Sequence, residues 1–89
     1  MVQIMENHAE IHGTLLSRED DPERPGFVRL VVKVEDAAAV APWPNMFERH
    51  VGKPLVLHAR SEEVAECAPA EPIRLRVKMA GPNLAFVEK

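Results

Sequence analysis

His8, Glu10 and His12 carry zinc-type ligand groups at alternate positions of one segment. On a strand, alternate side chains share a face about 7 Å apart, so adjacent members of this set could share a metal ion. His8 and His12 would then stand about 13 Å apart, which is too far for one ion to take both easily. On a helix the two imidazoles would stand one turn apart and could chelate. Metal binding through His8, Glu10 and His12 is therefore an alternative reading, and a solvated strand face is the plainer one.

Arg74, Arg76 and Lys78 form a second pattern, a basic row at alternate positions. With Arg60, and with His58, Arg29 and Lys33 on neighbouring strands, such a row could follow a phosphate backbone. Single-strand binders usually add aromatic platforms for base stacking. Here Phe27, Trp43, Phe47 and Phe86 are the aromatic side chains on offer, and Phe47 and Phe86 are assigned to the core. The net charge of -3 and a pI near 5.8 also weigh against a general affinity for nucleic acid. Single-stranded nucleic-acid binding through Arg60, Arg74, Arg76 and Lys78 is thus the runner-up. A basic face neutralised by Glu6, Glu10, Glu35 and Glu88 is the simpler expectation.

The run Pro42-Trp43-Pro44-Asn45-Met46-Phe47 holds a tryptophan rigidly between two prolines. Such a side chain could anchor a partner protein, or it could plug one end of a small core that has few aromatics. The leading expectation is a non-enzymatic interaction module acting through a protein partner or as a homo-oligomer. Trp43, Phe27 and the acidic segment 17–26 are its contact points.

Ser17, Ser61, Thr14, Cys67 and four histidines are present. Yet the chain has no nucleophile elbow, no phosphate-cradling glycine loop and no Cys-X-X-Cys pair, so neither an enzyme nor a cofactor is expected. Cys67 has no cation beside it in sequence to activate its thiol, so it reads as a bystander. The N-terminal residues lack an export pattern, which leads to the expectation of a cytoplasmic protein. No apolar stretch approaches the roughly 20 residues of a spanning helix, so no membrane segment is expected.

These side chains need a scaffold, and 89 residues with 46% hydrophobic and 28% charged content suit one globular domain. Met5, Ala9, Ile11, Gly13 and Leu15 alternate with polar residues, as in a half-buried strand. Ile4, His8, Ile11 and Leu15 would also fit a helical stripe, and Gly13 favours the strand, where it permits a sharp bend. Segment 17–26, with two prolines, a glycine and four acids, reads as an exposed loop. Phe27–Glu35 alternates as a strand, and Asp36 could open one helical turn before Pro42. Asn45, Glu48 and Gly52 are spaced to cap and end a short helix. Residues 54–60 alternate again, 61–72 connect with room for a helical turn, and 73–87 form a hairpin turning at Ala80-Gly81-Pro82-Asn83.

The expected fold is mostly β, a small five-stranded barrel with one or two short helices, since closure removes exposed strand edges. A long first strand with its glycine, a second strand after an acidic loop, a mid-chain helix and a final hairpin resemble the OB-fold layout. The resemblance lies in order and spacing over most of the chain and includes no family motif. It departs from that layout between residues 36 and 44, where the strand pattern is weak.

Overall fold

A computed structural model describes residues 5–81 and 83–88. Ile4 of the alternative stripe and Pro82 of the hairpin turn lie outside the described residues. Five strands follow in order: β1 (Ala9–Asp20), β2 (Phe27–Ala39), β3 (Pro54–Arg60), β4 (Pro72–Gly81) and β5 (Leu84–Glu88). They close into a barrel in the order β1-β2-β3-β5-β4, antiparallel except where β3 meets β5 in parallel at His58 and Phe86. This is the OB-like layout expected from the sequence.

Alternation in the sequence explains which side chains fill the barrel. Ile11 and Leu15 of β1, Val28, Leu30, Val32 and Val34 of β2, and Leu55, Leu57 and Ala59 of β3 all point inward and are buried. Ile73, Val77 and Met79 of β4 meet them, with Ala85 and Val87 of β5. The register of β1 against β2 shifts between His12 and Gly13, where the strand turns the barrel's corner. A Cβ at Gly13 would lie 2.1 Å from the Lys33 carbonyl oxygen, so only glycine lets the two backbones come this close.

Several expectations are corrected by strand pairing. The helical alternative for the first segment is excluded, because β1 pairs with β2 on one side and β4 on the other. The acidic segment is partly strand: β1 runs on to Asp20, opposite Val28, and residues 21–26 form the connection. The single helical turn expected from Asp36 is absent, since β2 continues to Ala39 and pairs with Ala9–His12. Within residues 36–44, where the strand pattern is weak, only 36–39 are strand, as the end of β2, and 40–44 are not.

The mid-chain helix shrinks to a 3-10 turn, Glu48–His50. Asn45 spends its side chain on the Ala37 carbonyl and the Phe47 amide, 3.0 and 2.9 Å away, which starts a tight turn without completing a capping box. Gly52 does take the positive φ of a terminator, +83°. A second 3-10 turn, Ser61–Val64, follows β3.

Asn7 extends the sheet beyond β1. Its side chain accepts from the Met79 amide (2.8 Å) and donates to the Met79 carbonyl (2.9 Å), as a paired strand residue would. The buried aromatic of the 40–53 connection is Phe47; Trp43 is 36% exposed and lies outside the buried core.

Candidate functional site

Strand order decides how the basic residues are grouped. Because β5 lies between β3 and β4, the row Arg74, Arg76 and Lys78 does not join Arg60 directly. Arg74 is set opposite His12 and Arg76 opposite Glu10 across the β1–β4 seam. Arg74 Nε reaches Glu10 Oε1 at 3.6 Å, and Arg76 Nε reaches Glu88 Oε2 at 3.7 Å. These two cations therefore face acids on both flanking strands. Arg29, opposite Glu19 on β1, is paired with that carboxylate.

Lys78 and Arg60 lie elsewhere. Lys78 is opposite Phe86 in the β4–β5 ladder, Arg60 is opposite Phe27 in the β2–β3 ladder, and Phe86 is opposite His58. Phe27 and Phe86 thus meet on the outer wall, edge to face, with ring centres 6.3 Å apart. The Arg60 guanidinium stands 5.8 Å from the Phe27 ring centre, and that of Arg24 stands 5.5 Å from Phe86. The rings, Arg60, Lys78 and Glu63 line an open cleft of about 320 Å³. Neither Arg60 nor Lys78 forms an ion pair with any described residue within 4.0 Å. The assignment of Phe86 to the core is therefore corrected: residues Ala85 and Val87 on either side of it point inward, and it points out.

The 21–26 connection is built to hold Arg24 at this wall. Asp21 is buried, and its Oδ1 accepts the Glu23 amide at 2.9 Å. Its Oδ2 accepts a hydrogen bond from His58 Nδ1–H at 2.7 Å and lies 3.5 Å from Arg24. A carboxylate can only accept, so Nδ1 is the protonated nitrogen of His58. The Glu23 amide first, and then the His58 bond, hold the Asp21 carboxyl below its ordinary pKa despite the opposing cost of burial. His58 in turn tilts against Phe86, with ring centres 5.7 Å apart.

The set His8, Glu10 and His12 does not converge. His8 Nε2 lies 2.9 Å from Glu6 and Nδ1 lies 2.6 Å from Glu88, so both ring nitrogens face carboxylates. Only the imidazolium donates to both, and the Glu6 bond, followed by that to Glu88, raises the His8 pKa. In that state His8 has no lone pair for a metal, while Glu10 turns to Arg74. Among the described residues no three His, Cys, Asp or Glu side chains gather to hold an ion. Trp43 rests one edge on His8, at 5.4 Å between ring centres, and is 36% exposed.

Sequence reasoning named Phe27, Arg60, His58 and Lys78 but missed Phe86, Arg24 and Asp21 as parts of one surface. The signal was the barrel order, since β3 beside β5 brings Phe86 to His58. Among the described residues no helix is long and apolar enough to cross a membrane. Compared with protein-family models, curated proteins and solved structures, the chain matches none.

Proposed function

We propose that this protein is a non-catalytic binding module that takes a short single-stranded nucleic-acid segment across the outer wall of β2, β3 and β5. The observation that carries this reading is the Phe27–Phe86 pair, bordered by Arg60, Arg24 and Lys78. Aromatic faces stack on any base, and guanidinium groups can leave the rings to meet phosphates. The OB-like barrel supports it further, since such barrels bind oligonucleotides on the face that includes strands 2 and 3. With a net charge of -3 the attraction is local, confined to this wall.

The test is fluorescence anisotropy with labelled oligo-dT and oligo-rU at low salt. Saturable binding that weakens steeply with added salt is expected. Anisotropy that stays flat, or binding indifferent to salt, would refute the proposal.

A protein-partner or self-association reading is favoured by a different observation, the exposure of Trp43 between two prolines. Light scattering after size exclusion decides it. An oligomer that Trp43→Ala dissolves without loss of folding supports that reading, and a strict monomer removes the self-association form of it.

A further inference from the structure

A separate cavity of about 190 Å³ opens where the Glu48–His50 turn meets the start of β3, the end of β4 and the start of β5. Leu55, Met79 and Ala85 form apolar walls, while Arg49, His50 and Asn83 supply its polar ones. No acidic side chain among the described residues lines it. His50 Nε2 is shut off from solvent and has no hydrogen-bond partner. Native proteins seldom leave such a nitrogen unpaired, so this atom calls for a missing partner.

The chemistry around the nitrogen defines that partner. Burial, and then the charges of Arg49 and Lys53, lower the His50 pKa, so the surroundings are electropositive and short of an anion. We propose that the cavity binds a small organic anion, a carboxylate on a compact apolar group. The Arg49 guanidinium meets the carboxylate, His50 Nε2–H joins it once the half-buried ring turns toward the cavity, and Leu55, Met79 and Ala85 enclose the carbon skeleton. A phosphate fits less well, since the apolar walls leave most of its oxygens without donors. The size is suitable, because a cavity of about 150 Å³ already admits a benzene ring. The site shares no lining residue with the Phe27–Phe86 cleft, so it stands or falls independently of the nucleic-acid reading.

The experiment is an NMR titration with benzoate, isovalerate and, as the neutral counterpart, benzyl alcohol, following the His50 ring and Met79 methyl resonances. Both carboxylates should give saturable shifts at these two residues, and benzyl alcohol should bind at least about tenfold more weakly. Arg49 is exposed, so Arg49→Gln tests the charge without disturbing the core. Arg49→Gln and His50→Phe should each weaken benzoate by about tenfold while leaving benzyl alcohol unchanged. Four results would overturn the proposal: no saturable shift at His50 or Met79, equal affinity for benzyl alcohol, indifference to both variants, or shifts confined to Phe27 and Phe86.

Discussion

The basic residues of this barrel fall on two surfaces, Arg74 and Arg76 on one and Arg60 and Lys78 on the other, and their surroundings differ. Arg74 and Arg76 look across β1 and β5 to Glu10 and Glu88, which answer their charge. Arg60 and Lys78 look onto phenylalanine rings and find no acid within ion-pair distance among the described residues. A cation's availability is thus set by its neighbours across the ladder, which depend on strand order and register. A charge row read along one strand cannot contain that information.

The largest expected break in this contrast comes from the rings. Phe27→Ala with Phe86→Ala should weaken oligonucleotide binding on the order of a hundredfold, since two stacking platforms are removed, with thermal melts confirming that the barrel stays folded. A loss of less than about threefold would place the ligand elsewhere. Both side chains stand on the outer wall, so the core is left intact.

A smaller effect is expected from Asp21→Asn, which keeps an oxygen for the Glu23 amide but removes the charge facing His58 and Arg24. Released from its anchor, Arg24 should cost the face about threefold in affinity by anisotropy. The same group sets an acid limit. The Asp21 pKa is lowered on folding, so its stabilisation is fully present above the ordinary carboxyl value of 3.8 and is lost as pH falls through the lower folded value. Melts of the native protein should show this loss below pH 3.8, and Asp21→Asn should diminish it.

The smallest effect sharpens the contrast from the other side. Glu10→Gln strips Arg74 of its acid, and oligonucleotide affinity should rise by no more than about twofold, with stability changing by under about 1 kcal/mol, as for exposed ion pairs. A tenfold rise would show that the masked row lies within reach of the ligand. His8 offers a matching check on the same seam. Its pKa is raised, so its stabilisation is complete below 6.5 and is lost as pH rises through the higher folded value. NMR titration of its ring should show that upward shift, and Glu88→Gln should diminish it.

Much of the fold was legible in the sequence because inward positions recur with a period of two, as in Val28, Leu30, Val32 and Val34. Gly13 marked the bend for a reason the geometry makes concrete, the approach of the Lys33 carbonyl. Local signals misled where distant pairing competed with them. Asp36 and the alanines after it suit a helical turn, yet β1 holds them in strand. Asn45, Glu48 and Gly52 have helix-cap spacing, but the Asn45 side chain binds β2 instead. The site was half legible: Phe27, Arg60 and Lys78 were visible as types, while their grouping with Phe86 required the parallel pairing of β3 and β5.

The most direct test of the two-surface account is the salt dependence of oligonucleotide binding, compared between two double variants. Replacing Arg60 and Lys78 by alanine should lower the slope of log affinity against log salt by about 1.4, near 0.7 for each single-strand phosphate that is no longer neutralised. Replacing Arg74 and Arg76 by alanine should leave the slope unchanged. Equal reductions from the two pairs, or a greater reduction from Arg74 and Arg76, would contradict the account.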